Sequence, residues 1–451
     1  MNIPILTSLI VLNSGVILGQ IKNNDFEFSR DTVATLPKDW SIKKIIGFDF
    51  GLDKEIKYSG ANSFNIKSTQ TIDSNKFIPF SQVVNFDVQN FKKIAITVYI
   101  KSKDITGNAG LWCQIWNKDD KQIGFQNLEL QKTKIIGTTD WKKYSISLVV
   151  NSNCKKLLLG GYLQGTGSVW YDNFSIENLE FASTPPSKEA KEYIDGFCKI
   201  IKKQSVYSNS INWKILQAEI ELISKGANSI EDATVVSSHI LNKLRELGDN
   251  HSFILSKKSY DRSLKTNLDE RRPYGKLLEN NIGYVYVPGY ASTNDTVSEN
   301  FATSIQNIIK DLDTKNNITG WIVDLRENTG GNMYPMITGL GPIIGEGTLG
   351  HFHNANGKVR TRWLYSNGST RVVKVKAPYV LKNSAVKVAV LIGPNTSSSG
   401  EMTAISFVGK PNTKFFGQPS GGYTTGNSMF KLKDGTALAL ATSYVSDRNK
   451  N

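Results

Sequence analysis

The sequence predicts a multidomain chain: an N-terminal all-β sandwich of the jelly-roll kind, a helical segment, and a C-terminal α/β core. Three observations carry this. Between about residues 25 and 181, the segments "KKIAITVYIKS", "GLWCQIWNK", "WKKYSISLVV" and "SVWYDNFSIENLEF" alternate apolar with polar residues and are broken by Gly, Asn and Asp turns, the pattern of short strands in a sandwich. The segments "KEAKEYIDGFCKIIKKQS", "NWKILQAEIELISKG" and "IEDATVVSSHILNKLRELG" space apolar residues by three and four, which predicts helices. From about residue 276, "NIGYVYVPGY", "ENFATSIQNIIKDLDTKN", "ITGWIVDLREN" and "VKVAVLIGPN" read as strand, helix, strand and strand, which predicts a largely parallel sheet with crossovers.

The segments fall in order along the 451 residues. Residues 1–19 begin with an uncharged apolar run ending near Gly19, short for a membrane span and read as an export signal. The expected location is therefore secreted, periplasmic or cell-surface, with membrane contact only through an uncleaved signal. Residues 25–181 form the β-domain, and "ASTPPSK" at 182–188 is a linker, its Pro pair following small polar residues. Residues 189–275 are the helical part and 276–451 the α/β core. The net charge of +14 lacks any basic stripe interleaved with aromatics, zinc knuckle or phosphate-binding loop, so a solvated basic surface is expected and nucleic acid is not. Cys113, Cys154 and Cys198 are too few for a disulfide framework. Cys113 and Cys154 remain open to pairing or to burial as free thiols. No Cys/His spacing calls for a metal, His351 and His353 in "GHFHN" being a weak pair, and no cofactor is implied.

Open parallel sheets place sites beyond the carboxyl ends of their strands. Two polar glycine turns lie there, "DLRENTGGN" (324–332) and "GPNTSSSGE" (393–401). A hydroxyl nucleophile needs a base, a group that orients the base, and donors for the oxyanion. Ser397, Ser398 and Ser399 supply hydroxyls at a helix start. His239 sits inside a helical run, whereas His251, in "LGDNHSF", follows a helix end at Gly248 and is freer to act. Gly330 and Gly331 can turn backbone N–H groups toward one point. Ser398 with Glu401 also reads as a capping box, the alternative to a nucleophile turn.

"GDNHS", "GWIVDLRENTGGN" and "TSSSGE", in this order, resemble the S41-type serine peptidases of the tail-specific, C-terminal-processing and tricorn-core group. The resemblance spans about residues 190–451 and implies a ClpP/crotonase-like core. It implies Ser398, three residues before Glu401, as nucleophile. His251 would be the base, and Gly331 (or Gly330) and Ser399 would supply the oxyanion N–H groups. Tyr423 stands where one branch of the family carries its lysine, so the resemblance is to the tricorn-like branch with histidine. In that branch a serine precedes the histidine; here it is Asn250, which with Gly330 and Glu401 would support the site. Asp447 matches the orienting acid, with Asp249 and Glu401 as fallbacks. The family's following Gly-x-x-Pro-Asp step is absent, which reads as a truncated end. Only about 30 residues separate "GDNHS" from "NIGYVYVPGY", too few for the PDZ module of many relatives.

The β-domain resembles galactose-binding-like carbohydrate modules through Trp170–Asn173, "WYDN". Trp112, Trp116 and Trp141 then either stack on sugar or pack the sandwich. The expected function is an exported serine peptidase acting on a peptide or protein, with a glycan as a second partner at the β-domain. The alternative is an inactive family member that binds peptide or glycan at the cell surface.

Overall fold

The computed structural model describes residues 19–30, 36–73, 76–264, 271–292 and 294–451. The expected export signal lies outside the described residues apart from Gly19. The chain divides into two compact units, Met1–Lys191 with Lys214–Glu246, and Glu192–Trp213 with Leu247–Asn451.

The first unit is built on one nine-stranded sheet: β1 (Ser41–Ile42), β2 (Phe48–Asp53), β3 (Ser63–Ser68), β4 (Phe77–Asn85), β5 (Lys92–Trp116), β6 (Gln122–Asn127), β7 (Ile135–Val150), β8 (Lys156–Gln164) and β9 (Ser168–Leu179). The order is β1-β4-β8-β5-β9-β3-β2, with β6 and β7 also paired to β5. The 25-residue β5 explains the architecture. Its first part pairs with β7 and β9 and its last part with β6 and β8, with register shifts between. A strand has two edges, so the four partners share its length, and at the register shifts the strand bends and the sheet curls over its own apolar face. That face buries Phe26, Phe64, Phe80 and Phe174, with neighbouring ring centroids 4.9 to 6.3 Å apart.

The "WYDN" step is used as structure. Trp170 Nε1 donates to Asp53 Oδ2 at 2.8 Å, and the Tyr171 hydroxyl donates to Tyr162 O at 2.6 Å. Trp112 and Trp116 are half-buried and donate to Gly161 O and Gln114 Oε1. Trp141, also half-buried, meets Tyr58 edge-on at 6.0 Å. Cys113 and Cys154 are both buried free thiols, and burial pushes the Cys154 thiol up to about 12.

Helices α1 (Lys188–Gln204), α2 (Trp213–Ser224) and α3 (Ile230–Glu246) follow. Their division differs from the expected one. All but the first residue of α2, and the whole of α3, belong to the first unit, so the helical segment 189–275 is split between the units. Helix α3 lies against β6: Gln126 Nε2 donates to Ser238 Oγ at 3.2 Å and Phe125 N to Asn242 Oδ1 at 3.4 Å. His239 is buried there against Glu219, Nε2 to Oε2 2.9 Å.

The second unit holds β10 (Phe253–Leu255), α4 (Lys257–Ser263), β11 (Tyr274–Leu278), β12 (Ile282–Tyr286), α5 (Asp295–Lys315), β13 (Gly320–Asp324), α6 (Met333–Ile344), β14 (Gly347–His353), β15 (Val359–Tyr365), β16 (Lys387–Ile392), α7 (Ser399–Ile405), β17 (Thr413–Gly417), β18 (Thr425–Lys431) and β19 (Ala437–Asp447). One sheet runs β11-β12-β13-β16-β17, parallel from β12 onward. Central β13 is buried along most of its length, as a parallel strand covered on both faces must be. The other sheet runs β10-β19-β14-β15 with β18 on β19, all antiparallel. Trp321, Met336, Ile337, Leu340, Val390 and Phe407 are fully buried between these elements.

Candidate active site

Strands β13 and β16 are parallel neighbours, so the turns leaving their carboxyl ends meet. Each turn is pinned by buried polar side chains. Asn328 Nδ2 donates to Val287 O and Pro288 O, its Oδ1 accepts from Gly330 N, and its carbonyl accepts from Ser397 N. Thr396 Oγ1 donates to Leu325 O at 2.8 Å. Asp324 bonds Arg326 at 2.7 Å. Burial works against that carboxylate, but Arg326 and the Tyr284 hydroxyl hold it below its ordinary range.

Helix α7 starts at the second turn, with Ser398 as its N-cap at φ 53°, ψ −120°. A serine at positive φ is strained, and such strain persists where surrounding contacts hold it. Glu401 makes the return bond of the capping box: its Oε2 accepts from Ser398 N at 2.8 Å. The Ser398 hydroxyl meets His251 Nε2 at 2.9 Å. The two motifs, 147 residues apart, thus form a Ser–His pair.

His251 is held from below and behind. Asp249, fully buried, accepts from His251 N at 3.0 Å, Ser252 N at 2.9 Å and Ser252 Oγ at 2.5 Å. Ser252 Oγ in turn accepts from Ala441 N of β19. The second ring nitrogen, Nδ1, faces Thr425 Oγ1 at 2.9 Å. When Nε2 accepts the Ser398 proton, Nδ1 carries the other proton and donates to Thr425. Thr425 Oγ1 donates to Asn427 Oδ1 at 3.3 Å, and Asn427 Nδ2 donates to His251 O at 2.7 Å. Ring, hydroxyl, amide and carbonyl close a loop that sets both the rotamer and the tautomer of His251. Burial pushes the His251 pKa below its ordinary value, opposed by Asp249, Glu401 and Thr425. The imidazole is therefore neutral near pH 7 and able to accept a proton.

Asp447 does not orient this histidine. Its Oδ1 accepts from Asn449 N and Asn451 N, and its carbonyl accepts from His351 Nδ1. The carboxylate closes a turn at the end of β19. Asn250 is exposed, its N–H bonded to Gly248 O, and takes no part in the hydrogen bonds of His251. His353 bonds Gly357 O and Ser446 Oγ. Among the described residues no group of His, Cys, Asp or Glu is arranged to hold a metal. Thr425 and Asn427 were not singled out by the sequence; the only signal was their place just after Tyr423, whose ring centroid is 5.6 Å from that of His251.

Gly330 and Gly331 adopt φ 94° and 113°. A Cβ on Gly330 would lie 2.9 Å from Ser398 Cβ and 3.0 Å from Ser399 N, so only glycine lets the turns approach this closely. Tyr290 takes the flanking groups, donating to Gly330 O and accepting from Asn332 N, while Gly331 O accepts from Ser399 Oγ at 2.7 Å. Among the described residues, Gly331 N–H and Ser399 N–H have no hydrogen-bond partner. A cleft of about 590 Å³ opens beside the pair, lined by His251, Ser398, Ser399, Gly331, Met402 and Thr425 among others.

The model of peptidase family S41 matches residues 281–451. The nisin-resistance protein of Lactococcus lactis subsp. lactis is 30% identical over 312 residues, 66% of this chain and 90% of that protein. A carboxy-terminal processing protease of Bacillus subtilis (strain 168) is 26% identical over 167 residues, 37% of this chain and 31% of that protein. Among solved structures, a lipoprotein from Streptococcus agalactiae is similar at 30% identity and a TM-score of 0.48, covering 60% of this chain and 90% of that one. The chain belongs to peptidase family S41.

Proposed function

We propose that the protein is an exported serine peptidase that hydrolyses peptide bonds through an acyl-enzyme. The observation that carries this is the 2.9 Å contact between Ser398 Oγ and His251 Nε2. In the proposed reaction His251 takes the Ser398 proton as the hydroxyl attacks the scissile carbonyl. It then gives that proton to the leaving amine, and water repeats the sequence to release the acyl group. Among the described residues the N–H groups of Gly331 and Ser399 make no internal hydrogen bond, and they border the cleft beside Ser398, which supports a role as oxyanion donors. Each such donor contributes roughly 3 kcal/mol to the transition state. The orienting group in this reading is the Thr425 hydroxyl.

The test is reaction of the purified chain with a fluorophosphonate probe, the adduct being mapped by mass spectrometry. Labelling at Ser398, absent in Ser398→Ala and lost in His251→Ala, is the expected outcome. A folded chain that takes no label at Ser398 would overturn the reading.

A further inference from the structure

A second recess, of about 420 Å³, adjoins the Ser398 cleft, and Arg360 and Thr442 line both. Its chemistry is one-sided. Lys202, Lys203 and Arg360 line it, and among the described residues no carboxylate does. None of the three makes an ion pair among the described residues. The Lys202 ammonium lies over the Trp213 ring, 5.6 Å from its centroid. Asn209 donates its side-chain amide to Asn356 across the recess.

Two of the cations have an ordinary structural reason. Lys202 and Lys203 sit in the last turn of α1, where the helix dipole favours positive charge. That reason does not extend to Arg360. It comes from strand β15, on a different element, and enters the same space. The wider segment is biased in the same direction: residues 347–400 contain no Asp or Glu and eight Lys or Arg. Among the described residues the only acid that lines the Ser398 cleft is Asp295. A concave wall of one sign concentrates ligands of the opposite sign. Arginine in such a wall suits a carboxylate, whose two oxygens match its paired N–H groups.

We propose that this recess is a subsite for a carboxylate of the substrate peptide, reached by the part of the peptide that extends from the Ser398 cleft past Arg360. The proposal rests on the peptidase reading for its geometry and deepens it to a substrate class. The carboxylate is either an acidic side chain or the free end of the chain. Three fluorescent peptides of one neutral sequence distinguish these: one with an acidic residue and an amidated end, one with a free carboxyl end, and one neutral and amidated.

Binding is measured by anisotropy on the full chain carrying Ser398→Ala, so that turnover plays no part. At least one carboxylate peptide is expected to bind about 10-fold tighter than the neutral one, the preference shrinking with salt. Which of the two does so names the source. Arg360→Ala and Lys203→Ala, both exposed positions, are each expected to reduce the preference, and Arg360→Glu to reverse it. Equal binding of all three peptides would overturn the subsite, as would an anionic preference unchanged by Arg360→Glu. Failure of the fluorophosphonate label at Ser398, by contrast, removes the peptidase reading and leaves the binding result standing.

Discussion

Glu401 and Asp447 are both buried carboxylates of the second unit, 2% and 7% exposed, yet they organise different amounts of it. Glu401 accepts from Ser398 N, Gly422 N, Tyr423 N and Ser420 Oγ. Those donors lie on both sides of it in sequence, up to 22 residues away, and include the backbone of the candidate nucleophile. Asp447 accepts from N–H groups two and four residues on. One carboxylate joins two segments of the site, and the other closes a local turn. Burial alone therefore does not mark an acid as functional; the sequence distance of its donors does.

The sharpest way to break the comparison is Glu401→Gln. The amide keeps one acceptor oxygen but turns an NH₂ toward N–H donors that had met an oxygen. A loss of about 3 kcal/mol in stability is expected, measured by urea unfolding. Ser398 N and the 420–423 segment would shift together, and misplacement of a reacting group by about 1 Å costs roughly 100-fold in rate. A Glu401→Gln chain with unchanged kcat/KM would show that the carboxylate shapes only the helix start.

Thr425→Val sharpens the comparison from the side of the histidine. It removes the Nδ1 partner with little change of shape. A loss of one hydrogen bond of about 1.4 kcal/mol lowers kcat about 10-fold, with KM little changed. The pH profile supplies a smaller effect. In the proposed mechanism the base is neutral His251, so kcat/KM is expected to rise with pH through the histidine's pKa and level above it. Burial lowers that pKa, so the half-maximum is expected below the ~6.5 of a free imidazole. Asp249 favours the imidazolium; Asp249→Asn is expected to move the limb further toward acid. A limb that moved toward neutral pH would refute this electrostatic assignment.

The parts of the site carried by local motifs were legible in the sequence. Ser398, Gly330 and Gly331 sit in turns whose glycines and serines have a direct steric reason. His251 stood out because a histidine on a short loop has few structural duties. Thr425 and Asn427 were not legible: they lie 174 and 176 residues from His251 and reach it only through the pairing of β18 with β19. The sandwich was legible because alternation reports which face of a strand is buried. The allegiance of α2 and α3 was not, since an amphipathic pattern shows that a helix face is covered without showing by what. The second, antiparallel sheet was missed for a related reason. Its strands β14 and β15 carry Gly350, His351, Arg360 and Arg362 rather than an unbroken apolar run.

The assignment of Asp447 failed because an acid at the right distance along the chain need not lie at the right distance in space. The last residues of β19 pair with β14, Asp447 opposite Gly350, while His251 meets β18. The smallest expected effect tests this directly. Asp447→Asn keeps an acceptor oxygen for the N–H groups of Asn449 and Asn451, so stability should fall by no more than about 1 kcal/mol. With no contact to His251 or Ser398, the substitution should leave kcat/KM within about twofold, and the acid limb where it was. A fall of a hundredfold in a stably folded Asp447→Asn chain would mean that the turn rearranges to bring its carboxylate to the histidine. The contrast between the two acids would then reverse, because a local turn would be carrying the orienting charge.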